Sequence, residues 1–220
     1  MVNTLRLTEV QDQARSALLR SHYGHIDVHV RQSMWATLGA GSEESRVAQG
    51  EITQAHRARA TLMLDCLRLA LPEWEADKRR AGGEILLDPR DEPTAALTYA
   101  EAYLGGGMSR ADFMKHVNRL QDLSFYLSEL HERFPNTELV AHAARSVLWV
   151  AAWDQASDYE PEYREEENEV FPADFMIAWL KSGSAPWHEE PAAAARRAAY
   201  WTWYIEVAFA RSWAIAHGDE

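Results

Sequence analysis

Apolar residues recur along most of this chain at intervals of three and four, the period of helices that hide one face. The clearest stripe is Ala55, Ala58, Leu62, Cys66 and Leu69, spaced 3, 4, 4 and 3. It predicts a long helix from Glu43 to about Leu71, with Arg57, Arg59, Asp65 and Arg68 largely off the buried side. Upstream, Thr8 with Gln11 reads as a capping box that opens a first helix running through Leu19. Gly24 separates it from a second helix over about Ile26 to Leu38, which Gly39 and Gly41 end before Ser42 caps the next. Pro72 closes the long helix or begins another turn with Trp74.

Residues 79–93 read as a loop, and Pro93 opens a short helix through Leu104. Gly105-Gly106-Gly107 breaks the pattern. Ser109 and Asp112 then cap a helix whose inner face is Phe113, Val117, Leu120, Ser124, Leu127 and Leu130, ended by Pro135. A helix from Thr137 to Trp153 follows, with Val140, Ala143, Val147 and Val150 inward. The segment 154–170 has poor apolar periodicity and reads as a loop. A short helix over 172–181 and a turn from Gly183 to Pro186 lead to Pro191, which opens a last helix to about His217. Two stripes appear on it (Thr202, Ile205, Phe209 and Ala216; Trp201, Tyr204, Ala208 and Ile215), so it is expected to be central and packed on several faces. No strand-like alternation is longer than Glu84 to Leu87, and no repeat of 20–50 residues is visible. The pattern predicts an all-α fold, a single domain over residues 1–220 built as a bundle of about seven to nine helices.

Composition sharpens that picture. Hydrophobic residues make up 47% of the 220, and nine are tryptophan, each needing a large buried surface. A well-packed body follows. The one cysteine, Cys66, sits on the apolar stripe, where a thiol is inert core rather than nucleophile. The first residues carry no apolar leader-like segment, and no run of 18 or more apolar residues exists; the cytoplasm is the expected compartment.

Charge divides the chain. Residues 1–80 hold 11 basic and 10 acidic side chains, whereas the other 140 hold 11 basic and 24 acidic. Asp154, Asp158, Glu160, Glu162, Glu165, Glu166, Glu167 and Glu169 face a single base, Arg164. Direct nucleic-acid binding is disfavoured, because phosphate neutralisation needs a basic footprint. Such a run is commonly a solvated face, and otherwise a docking surface towards which a basic partner is steered. It lacks the alternating ladder and central glycine of a calcium loop.

Other chemistry is thinly supported. His22, His25 and His29 form the best metal candidate, with His25 and His29 four apart on one helical side. No adjacent glutamate completes a hydrolytic motif, and half-buried histidines at a helix junction are the plainer explanation. A helical enzyme using these histidines, or a generic helical regulatory module, stands as the alternative to a binding protein. No nucleophile elbow or P-loop is present, and the triple glycine lacks the lysine of a phosphate cradle. Tyr200 to Tyr204 read as core packing before a ligand box. No cofactor is expected.

Two stretches resemble a known family. His56 to Glu75 is an Arg-rich helix ending in Leu-Pro-Glu-Trp-Glu, and Phe171 to Ala214 runs from a short helix through a small-residue turn and Pro-Trp to Arg-Arg and an aromatic cluster. Together they resemble immunity protein family five, all-helical proteins of bacterial polymorphic toxin systems. The resemblance implies a cytoplasmic, non-catalytic protein that binds and neutralises a cognate toxin domain. No catalytic residues carry over from it. The expected partner surface, on charge alone, is Asp158, Glu160, Glu162, Glu165, Glu166, Glu167 and Glu169.

Overall fold

The computed structural model describes residues 2–41, 44–85, 87–88, 90, 92–128, 133–154, 172–185, 188 and 190–218. Among these no strand occurs. The helices are α1 (Val2–Arg20), α2 (Val28–Thr37), α3 (Glu44–Ala48), α4 (Gln54–Arg80), α5 (Pro93–Leu104), α6 (Arg110–Ser128), α7 (Pro135–Trp153), α8 (Ala173–Ser182), α9 (Pro191–Trp203) and α10 (Phe209–His217). A π-helical turn, Tyr204–Ala208, joins α9 to α10 without a break.

The centre of the bundle is the pair α4 and α7. Helix α7 is packed by α4, α5, α6 and α8, while α4 also carries α8 and α10. From Ala58 to Leu67 every residue of α4 is buried. The stripe drawn from the sequence is therefore only part of its buried surface, and Arg59 and Asp65, expected off it, are buried too. Val140, Ala143, Val147 and Val150 of α7 lie inward as expected, with alanines between them that let neighbouring helices approach.

Several helix ends differ from expectation, each for a local reason. Helix α1 runs through Thr8 from Val2, because Gln11 does not act as a cap partner. Its Nε2 donates to the carbonyl of Ile205 at 2.9 Å. The expected helix from Glu43 to Leu71 is two helices. Gly50 adopts φ +81, which interrupts the first, and Thr53 accepts from the His56 N–H at 3.1 Å to start the second. Pro72 lies inside α4 rather than at its end. An internal proline costs about 3 kcal/mol, offset here by the complete burial of Trp74 one half-turn on. Pro135 opens α7 rather than merely ending α6.

The C-terminal rod is not the central element. Thr202 is exposed and Ala216 only half-buried, so the first of its two stripes is partly inward, whereas Trp201, Tyr204, Ile205, Ala208 and Phe209 are buried. Arg197, fully buried, fixes this rod to the rest. It donates to the carbonyls of Tyr23 (2.9 Å), Ser184 (2.9 Å), Ala185 (3.2 Å) and His188 (3.3 Å). Burial lowers its pKa, and the ring of carbonyl dipoles replaces the solvent it lost. Gly24 makes the closest approach: at φ +62, a Cβ there would stand 2.1 Å from the carbonyl oxygen of Ala194.

Candidate functional site

The carboxylates expected to meet a partner, Asp158, Glu160, Glu162, Glu165, Glu166, Glu167 and Glu169, lie outside the described residues. What the structure does define is the chain on either side of that run, Asp154 before it and Ala173 after it. Asp154 is not part of an open acidic face. It is buried, in the left-handed region at φ +51, and pairs with Arg59 through two bonds of 2.8 Å. Arg59 gives two further donors to the carbonyls of Gly39 (2.9 Å) and Ala40 (3.2 Å). Asp154 is therefore an internal ion-pair partner and does not count towards the free charge of the acidic run.

The end of α7 is capped by side chains from elsewhere. His56 Nε2 lies 3.0 Å from the carbonyls of both Val150 and Ala151, so that nitrogen carries the hydrogen. Arg110 donates to the carbonyl of Ala152 at 2.6 Å. These bonds satisfy carbonyls that a helix C-terminus leaves without partners. On the other side of the run, the Ala173 N–H donates to Ser146 Oγ at 3.0 Å, and buried Asp174 pairs with buried Arg31 at 2.9 Å. Ser146 lies two turns back along α7 from Asp154, so Ala173 docks against the helix that ends beside Asp154.

One face of α7 is less covered than the others. Glu138, His142, Arg145, Trp149 and Trp153 follow each other at spacings of 4, 3, 4 and 4, and all are half-buried. The rings of Trp149 and Trp153 are 6.3 Å apart, and the Arg110 guanidinium lies 4.3 Å from the Trp153 ring centre. Among the described residues, Arg145 Nε and the indole N–H groups of Trp149 and Trp153 have no hydrogen-bond partner. Burial alone lowers the Arg145 pKa.

The histidine cluster is dispersed. His22 and His29 are exposed, and His29 Nδ1 lies 3.3 Å from Gln32 Oε1. His25 turns inward, where its Nδ1 accepts from Trp201 Nε1 at 3.0 Å. Burial, then the charges of Arg31 and Arg197, push its pKa down to about 3. A nitrogen committed to an indole is not a metal ligand, and among the described residues no group of three or more His, Cys, Asp or Glu is placed to hold a metal. Cys66 is fully buried and accepts from the Tyr200 hydroxyl at 3.2 Å. Burial drives its thiol pKa well up, so it is inert. Trp35 Nε1 donates to Tyr204 Oη at 2.9 Å. The aromatic run from Tyr200 is thus mostly core.

A family model described as Immunity protein Imm5 matches residues 12–211. The chain belongs to this family. The Imm5 match takes in most of the two stretches that suggested it, and extends beyond them over residues 12–50 and the triple glycine. No curated protein matches the chain. The half-buried row on α7 was not anticipated from the sequence. Its only signal was two tryptophans and an arginine at helical spacing on the helix next to the acidic run. No helix of the described residues is long and apolar enough to cross a membrane.

Proposed function

We propose that the chain neutralises a cognate toxin domain by binding it in the cytoplasm, without catalysis, and that the run from Asp158 to Glu169 supplies the attraction. The observation that carries the first part is the match to the Imm5 family over residues 12–211. Charge supports the second. The described residues hold 21 basic and 20 acidic side chains, a net of +1, in a chain whose total is −12. The excess is therefore not spread over the helical framework. Seven of the 14 acids outside it fall between Asp158 and Glu169, against the single Arg164. A concentrated field of one sign raises encounter rates with an oppositely charged face and does so in a salt-dependent way.

The test is co-expression with the toxin domain encoded beside the chain's gene. Toxicity should disappear and the two proteins should purify together. The triple variant Glu165→Gln, Glu166→Gln and Glu167→Gln should slow association roughly three- to tenfold at low salt, and flatten its salt dependence. An association rate that ignores the substitutions would remove the acidic run from the reading; persistent toxicity would remove the reading itself.

A further inference from the structure

We infer that α1 and the π-helical turn Tyr204–Ala208 form a conformational latch: docked, α1 holds the rod from Pro191 to His217 in one register, and lifting α1 releases α10 into another. Such a device operates whatever the chain binds.

One backbone bond distinguishes the two states. In an α-helix the Phe209 N–H would bond to the carbonyl of Ile205, four residues back. Here it bonds to the carbonyl of Tyr204, five back. The Ile205 carbonyl has lost its regular partner, and a buried polar group left so is costly. Gln11 of α1 supplies a replacement, its Nε2 donating to that oxygen at 2.9 Å, and Gln11 is itself buried. One turn further along α1, Arg15 holds the next residue of the π turn, bonding both carboxylate oxygens of Glu206, one of them at 2.7 Å. Both side chains reach the same turn. Without Gln11, the Ile205 carbonyl regains a partner most simply by taking back the Phe209 N–H, which is the α register.

The packing of the rod shows what that exchange would move. From Tyr200 onward its buried side chains fall in two rows, Tyr200, Tyr204, Ala208 and Ser212, and Trp201, Ile205, Phe209 and Trp213, each four residues apart throughout. On a pure α-helix such a row winds by about 40° per step, or about 120° from end to end. The wider π turn takes up that drift and keeps α10 facing α4. Reversion to α would rotate α10, and with it the Arg211–Asp65 pair (2.9 Å) and the bond from His217 Nε2 to the Thr37 carbonyl (3.0 Å). The docked register also carries a cost for α10, because the buried Ser212 hydroxyl has no hydrogen-bond partner among the described residues. Two arrangements of one segment, separated by a single exchanged bond, are what a bistable element needs.

Hydrogen exchange on the intact chain tests this. Gln11→Met keeps the length of the side chain and removes its donor. It should speed amide exchange over residues 209–213 roughly tenfold, while residues 58–67 of α4 exchange as in the wild type. Deleting Val207, which is exposed, changes the spacing of both rows to 4, 3 and 4, an ordinary α-helical stripe. In that background Gln11→Met should change exchange of the same segment by less than about twofold. Three results overturn the latch: exchange over 209–213 unaltered by Gln11→Met, exchange raised equally in α4, or the full effect persisting without Val207. A deletion variant that does not fold overturns it as well, since the core would then not accept the α register.

Discussion

Arg59 and Asp154 are both fully buried, and each would be prohibitively costly alone. Together with the carbonyls of Gly39 and Ala40 they satisfy one another, tying α4 to the end of α7 and to the turn after α2. Removing one partner leaves a buried charge. Arg59→Met should therefore cost about 3–5 kcal/mol, a fall in melting temperature of roughly 6–20 °C for a chain this size. Adding Asp154→Asn, which removes the charge and tolerates the left-handed backbone, should recover part of that loss. Thermal melting of the two single variants and the double variant checks this; a double variant no more stable than Arg59→Met would show that the pair is not what the site depends on. None of this was visible in the sequence. Arg59 read as a solvent-facing residue and Asp154 as the first charge of an acidic run, because pairing between residues 95 apart leaves no local trace.

At the scale of elements, the sequence placed the helices better than their ends. Pro93, the Ser109–Asp112 cap and Pro191 all act where expected, since a proline in the first turn or a hydroxyl cap works through neighbours in sequence. Thr8 and Gln11 failed because a distant carbonyl claimed the glutamine. Gly24 was read as a break, but its requirement is tertiary as well: the backbone of α9 leaves no room for a side chain. Gly24→Ala should cost several kcal/mol, from the strained backbone together with the clash. Gly82→Ala, also at positive φ but with nothing near its Cβ position, should cost only about 1 kcal/mol. Denaturant midpoints of the two variants separate strain from packing; equal losses would mean that the approach of α9 is not tight.

Across the whole molecule, three histidines oppose acidification. Burial lowers the pKa of His25, His56 and His142 alike. The unfolded chain takes up these protons near the ordinary histidine value of about 6.5, whereas folded His25 resists until about 3. Between those values the unfolded state binds more protons, so stability is full above about pH 6.5 and falls as the pH drops towards 3. His25→Gln should flatten this fall when denaturant midpoints are compared between about pH 7 and pH 4. A slope identical to wild type would place the acid sensitivity elsewhere. The histidines were legible as a cluster, yet their roles were not. Spacing put His25 and His29 on one side of a helix, while the structure sends one to Trp201 and leaves the other in water.

Helix class, the main apolar faces, the inert cysteine and the uneven charge were determined by the sequence alone. Each depends on residues near one another in the chain or on composition, and helical periodicity is a local property. Tertiary structure decided which polar residues are buried, which helix is central and which face of α7 is only half-buried. Those outcomes depend on what lies across a helix, and an arginine facing a carboxylate reads no differently from one facing solvent.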